Sequence, residues 1–161
     1  MISLDTLDRS LFRFLLFSVF LFLFHCANDD VIKKEQPTPE LILYQAIDKG
    51  DLPKVKEIIE SSYPINKKDH LGNSPLIRAV DQEEEKIVEY LVTNGANINL
   101  RNTVGETALY RAVFRGNLKL VKFLVEKGAE TKIKNAEGTT PAHLADDRGE
   151  DAIQKFLESL P

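Results

Sequence analysis

The stretch Asp69-His70-Leu71-Gly72-Asn73-Ser74-Pro75-Leu76-Ile77-Arg78-Ala79 returns twice more, as Asn102 to Ala112 and as Asn135 to Ala145. Gly72, Gly105 and Gly138 stand 33 residues apart, and Ala79, Ala112 and Ala145 keep the same step. Self-similarity at a fixed period of roughly 20–50 residues is the mark of a chain built from stacked repeats. Each copy reads as one mechanical unit. An Asn or Asp, two variable residues and a Gly form a turn, the Gly supplying a positive φ that a Cβ resists. Ser74, Thr107 and Thr140 follow as helix N-caps, and Pro75 and Pro141 take the first helical position, where a missing N–H costs nothing.

A short helix then carries Leu76 with Ala79, Leu109 with Ala112, and Ala145, the small Ala letting neighbouring helices approach. A second helix follows in each copy. Its apolar residues fall at helical spacing: Ile87, Val88 and Leu91; Leu120, Val121 and Leu124; Ile153, Phe156, Leu157 and Leu160. Gly95 and Gly128 close that helix and lead into the next turn. Stepping back 33 residues from Ala79 and Leu91 reaches Ala46 and Ile58, so residues 38–68 form a first copy without the leading turn. Thr38 caps its first helix at Pro39-Glu40, and an atypical terminal copy is what a stacked array predicts.

Ser74-Pro75-Leu76-Ile77-Arg78-Ala79, Thr107-Ala108-Leu109-Tyr110-Arg111-Ala112 and Thr140-Pro141-Ala142-His143-Leu144-Ala145 resemble the T-P-L-H-x-A motif of the ankyrin repeat family, and Asn94-Gly95-Ala96-Asn97-Ile98-Asn99 resembles its repeat end. The period agrees with that family. The resemblance covers roughly residues 38–161 and implies an all-α solenoid of about four helix-turn-helix units joined by β-turn or hairpin loops. The units run from about 38–68, 69–101, 102–134 and 135–161. For function it implies a protein-interaction scaffold of unspecified partner.

Partners in this family are gripped by the turn tips and by the exposed face of the first helix in each pair. Carried onto this chain, the tips are His70, Leu71, Asn73, Thr103, Val104, Glu106, Ala136, Glu137 and Thr139. The helix face is Asp81, Gln82, Phe114, Arg115, Asp147 and Arg148. Phe114 beside Arg115 has the composition of a binding hot spot, the alternative being that Phe114 folds into the core. His143 falls on the family's His position, where the resemblance implies a ring that braces adjacent turns.

The N-terminus has a different character. Arg9 and Arg13 precede an apolar run from Phe14 to Phe24, too short for the roughly 20 residues of a membrane span. A positive flank before a short apolar core reads as a secretory signal over residues 1–25. Leu23-Phe24-His25-Cys26 resembles a bacterial lipobox, in which the Cys is lipidated and becomes the mature N-terminus, although His25 stands where that pattern has a small residue. Three fates stay open: lipidation at Cys26, an uncleaved membrane anchor, or cleavage and release. Residues 26–37, polar and proline-ended, read as a tether. The expected place is the bacterial cell envelope, with secretion as the alternative.

The 161 residues carry 43% hydrophobic and 29% charged side chains and a net charge of −4, which argues against nucleic acid as the main partner. With one cysteine, no internal disulfide can form. Charge is striped: residues 102–134 carry a net +4 and residues 135–161 a net −4. Glu83 occupies the junction position held elsewhere by Gly50, Gly116 and Gly149, so the second unit is expected to be looser or differently connected there. Gln82-Glu83-Glu84-Glu85 reads as a solvated loop or as a contact for a basic partner.

No constellation carries chemistry. Neither metal-ligand spacing, nor a phosphate-binding Gly loop, nor a Ser nucleophile elbow is visible. The expectation is a monomeric, cofactor-free, non-enzymatic module that binds a protein partner and reaches the membrane through its N-terminus. The alternatives are a stoichiometric inhibitor or immunity-type regulator of an exported enzyme or toxin, and a passive tether.

Overall fold

The computed structural model describes residues 37–160. The signal or anchor over 1–25, Cys26 and nearly all of the tether lie outside the described residues. Eight helices follow in order: α1 Pro39–Asp48, α2 Leu52–Glu60, α3 Pro75–Asp81, α4 Glu85–Thr93, α5 Ala108–Phe114, α6 Leu118–Glu126, α7 Pro141–Asp147 and α8 Asp151–Glu158. No strand occurs among the described residues. They form four antiparallel pairs, and the all-α repeat solenoid expected from the period is the observed fold.

Side-chain caps set six of the eight helix starts; α4 and α8, preceded by Glu84 and Glu150, have none. The hydroxyls of Thr38, Ser74, Thr107 and Thr140 accept from the backbone N–H three residues on, closing the first turns of α1, α3, α5 and α7. Asp51 and Asn117 do the same for α2 and α6. The last helix ends at Glu158 with Ser159 as its C-cap, so Leu160, which its apolar spacing assigned to this helix, lies beyond it.

Leu43, Ile47, Leu76, Leu91, Leu109 and Leu124 are fully buried between layers, each such side chain contributing about 1.5–3 kcal/mol by leaving water. Ala46, Ala79, Ala112 and Ala145, at one position of the four first helices, are buried as well. Those helices approach one another more closely along the stack than the second helices do, so the stack curves with α1, α3, α5 and α7 on its concave side.

The second unit is not differently connected at Glu83. Glu83 adopts φ +58°, the left-handed conformation of Gly50, Gly116 and Gly149. Its backbone bonds, Glu83 N–H to Val80 O and Glu84 N–H to Ala79 O, repeat those of Gly50 and Asp51. The strain persists because the surrounding helices fix the junction, and the Asn117 amide donates to the Glu83 carboxylate at 3.0 Å. In the glutamate run Gln82 and Glu83 are exposed, as a solvated turn has them, while Glu85 pairs with Lys119 and the Glu84 carboxylate lies over Gly50. Ser62, with φ +71°, is a second strained position that the sequence reading missed; it stands where later units have Gly95 and Gly128.

Candidate functional site: a concave groove between turn tips and first helices

The turns are built by one residue each. The Asp69 carboxylate accepts from Leu71 N–H and Asn73 N–H, both at 2.8 Å. Asn102 accepts from Val104 and Glu106, and Asn135 from Glu137 and Thr139, in the same way. Successive turns are stitched together. Thr103 donates through its hydroxyl to Leu71 O at 2.7 Å, and Ala136 N–H donates to Val104 O at 2.9 Å. The backbone therefore holds the tips in a row, with the side chains of Leu71 and Val104 pointing outward from equivalent positions.

Two grooves open between these tips and the first helices. One, of about 280 Å³, is lined by Leu71, Asn73, Asp81, Thr103, Val104 and Glu106, with Ile77, Arg78 and Arg111 at its floor. The other, of about 250 Å³, lies one repeat earlier and brings in His70, Leu41 and Tyr44. Leu71 and Val104, 49% and 51% exposed, and Leu41, 48% exposed, are large apolar side chains left in water along this rim.

A ladder of charge lies on the first-helix face. Arg78 grips Asp48 through two bonds of 2.6 and 2.8 Å. Asp81 receives Arg111 at 3.0 Å through Nε and Arg115 at 3.0 Å through Nε. Burial of Asp81 works to raise its pKa, but the hydrogen bonds and charge of the two arginines outweigh it and hold the carboxyl below the usual aspartate range. Much of the positive stripe over 102–134 is thus spent against acids of the preceding unit, since Lys119 also pairs with Glu85.

The predicted site residues divide accordingly. Leu71, Asn73, Asp81, Thr103, Val104 and Glu106 share one groove. His70 joins the neighbouring one, and Gln82 is an exposed helix cap outside both. Phe114 is 37% exposed and not in the core. Its cationic neighbours are Arg111 and Arg148, 4.7 and 4.5 Å from the ring centroid, while Arg115 turns to Asp81. The expected partnership of Phe114 with Arg115 is therefore corrected: the arginine next in sequence faces along the ladder, and one from the following repeat covers the ring.

His143 departs from its expected role as well. It is exposed, and its Nδ1 lies 3.1 Å from the hydroxyl of Thr140 on its own helix, with no further turn among the described residues to brace. The bracing is done by tyrosines. The Tyr44 hydroxyl donates to Asn73 O at 2.7 Å, with Lys67 O 3.1 Å away, and the Tyr110 hydroxyl accepts from the Asn135 amide at 3.1 Å. Burial is the first cause that pushes both phenols up from their ordinary pKa. Stepping back by the repeat from His143 reaches Tyr110, Ile77 and Tyr44, which is the signal that would have found them.

Among the described residues, no group of three or more His, Cys, Asp and Glu side chains could hold a metal ion, and no helix is long and apolar enough to cross a membrane. No curated protein sequence matches the chain. The family profile for ankyrin repeats (3 copies) matches residues 15–102 and 94–159. Ankyrin repeats are non-catalytic protein-interaction modules, and the profile spans nearly the whole sequence; the chain belongs to the ankyrin repeat family.

Proposed function

We propose that this chain is a non-enzymatic, exported ankyrin module, anchored to a bacterial membrane by lipid on Cys26, that holds one protein partner along its concave groove. One observation carries the binding surface. Leu71 and Val104 stand at the same position of adjacent turns, about half exposed, over a groove whose charges are already paired. Apolar side chains held rigidly in water beside a polar, internally satisfied floor fit a protein segment that brings its own apolar anchors. The pairs along the floor fix the shape of the groove before binding, so little ordering remains to be done on association.

The anchoring half of the reading rests on the apolar run from Phe14 to Phe24 and on Cys26 three residues after Leu23. Intact mass of the membrane-extracted protein tests it. A chain beginning at residue 26 with added acyl mass supports the anchor; one beginning at Met1, or at residue 26 without that mass, rejects it. The binding half is tested by co-isolating partners with the full chain and with Leu71→Glu/Val104→Glu. Loss of a stoichiometric partner from the folded variant supports the groove, and full retention rejects it.

A further inference from the structure

The row of turn tips has an open end. Thr103 N–H donates to Leu71 O at 3.3 Å and, one repeat on, Ala136 N–H donates to Val104 O at 2.9 Å, so each turn offers the amide of its second residue to the tip before it. Stepping back by the period, that amide is His70 N–H and the acceptor would be Thr38 O. The Thr38 carbonyl is already engaged. Helix α1 starts at Pro39, three residues before Ile42, the counterpart of Pro75, and Thr38 O accepts from Ile42 N–H at 3.0 Å within its first turn. The first repeat therefore has helix where the others have a tip, and among the described residues His70 N–H meets no acceptor.

The place of the absent tip is the smaller groove, of about 250 Å³, lined by Thr38, Leu41, Tyr44, His70 and Leu71. Asp69 holds the turn of His70 as Asn102 and Asn135 hold theirs, so the free N–H is fixed toward that space just as Thr103 N–H is fixed toward Leu71. Leu41 and Leu71 flank it half exposed, and the charges beside it are matched within the protein, Glu40 by Lys67 at 2.8 Å and Asp48 by Arg78. Leu71 and Arg78 also line the larger groove, so the two are continuous. A backbone donor between apolar side chains fits a main-chain carbonyl better than a charged group. We propose that the partner takes the place of the missing tip: an extended protein segment running along the concave face lays one backbone carbonyl on His70 N–H and an apolar side chain beside Leu41 and Leu71. This rests on the concave-groove reading of function and adds how the partner is recognised, by its main chain and an apolar anchor, with no fixed charge.

His70 is the second residue of a turn closed by Gly72 N–H to Asp69 O at 2.9 Å, a position that proline fits. His70→Pro thus removes the N–H and keeps the turn, while His70→Ala keeps both. The probe is a set of peptides selected from a random displayed library on the full chain in detergent micelles. They should share an apolar residue, bind His70→Ala as they bind the unaltered chain, and bind His70→Pro about five-fold more weakly, the size of one neutral hydrogen bond. Replacing the peptide's backbone amides by esters, one at a time, weakens one carbonyl acceptor at a time. One such ester should cost affinity for the unaltered chain and none for His70→Pro. Circular dichroism confirms that both variants are folded. Hydrogen exchange of the His70 amide, fast in the free chain and slowed by the peptide, reads the same bond without any substitution.

Peptides that need Leu71 and Val104 but bind His70→Pro as well as His70→Ala, or that leave exchange at His70 unchanged, overturn this inference and leave the groove standing. A His70 amide already slow to exchange in the free chain, or slowed by raising the protein concentration, also overturns it, because the donor is then met within the chain or by a second copy. Peptides indifferent to Leu71→Glu/Val104→Glu, or no selection at all, reject the groove and this inference with it.

Discussion

Gly105 and Gly138 occupy the same place in consecutive turns, with φ of +79° and +84°, yet they should tolerate alanine very differently. At Gly138 a Cβ meets nothing within 4 Å, so only the left-handed conformation is charged against Gly138→Ala, about 1 kcal/mol. At Gly105 the same Cβ would lie 2.8 Å from Ala136 N and 2.7 Å from the guanidinium of Arg101. The arginine can swing away, but the backbone nitrogen belongs to the bond of 2.9 Å that ties the third turn to the second. Displacing it breaks that bond and leaves an amide poorly satisfied, a further cost of about 2 kcal/mol. Gly105→Ala should therefore lose about 3 kcal/mol and Gly138→Ala about 1, read as the difference in urea-unfolding free energy by far-UV circular dichroism. Equal losses at the two positions would refute the reasoning, because they would mean that the close approach of one turn to the next contributes nothing.

Tyr44→Phe should cost about 1 kcal/mol by removing the hydroxyl's bond to the Asn73 carbonyl, which keeps the Asp69 N–H as a donor, whereas Tyr63→Phe, which removes a buried hydroxyl that has no partner, should be neutral or stabilising; denaturant titration of the two variants separates them. Asp81→Asn tests the ladder through pH. The folded carboxyl titrates below its ordinary value of 3.8, so the stability it contributes is present above that pH and fades as pH falls through the folded value. The variant should be less stable near neutrality and should lose less on acidification below about pH 4, measured by thermal melts across that range. Leu71→Glu with Val104→Glu should change stability by no more than about 0.5 kcal/mol per site, because both side chains are surface-exposed.

The period of 33 residues made the fold legible, because most boundaries are set by a residue whose chemistry acts locally: Thr140 caps, Pro141 starts, Gly138 turns. Positions answering to one repeat were legible for the same reason, and Leu71 and Val104 came out as exposed tips. What escaped depends on contacts between repeats. Glu83 reads locally as a misfit, but two flanking helix pairs hold its left-handed backbone. Arg115 reads as a neighbour of Phe114, while the ladder sends it back by 34 residues to Asp81. Tyr44 and Tyr110 do not look like the motif histidine, although a hydroxyl at the end of an aromatic ring reaches the next turn equally well. A repeat array is local in its elements and non-local by one period in its side-chain pairs.

Photo-cross-linking in intact cells of the source organism tests the central claim most directly. A photoreactive phenylalanine analogue is placed at Leu71 or Val104 on the concave rim, and at Lys86 or Glu89 on the second helix of the same region. The account predicts one discrete protein adduct from the rim positions and none from the second helix. The same adduct from Lys86 or Glu89 with none from the rim would contradict it, and so would the absence of any adduct from Leu71 and Val104.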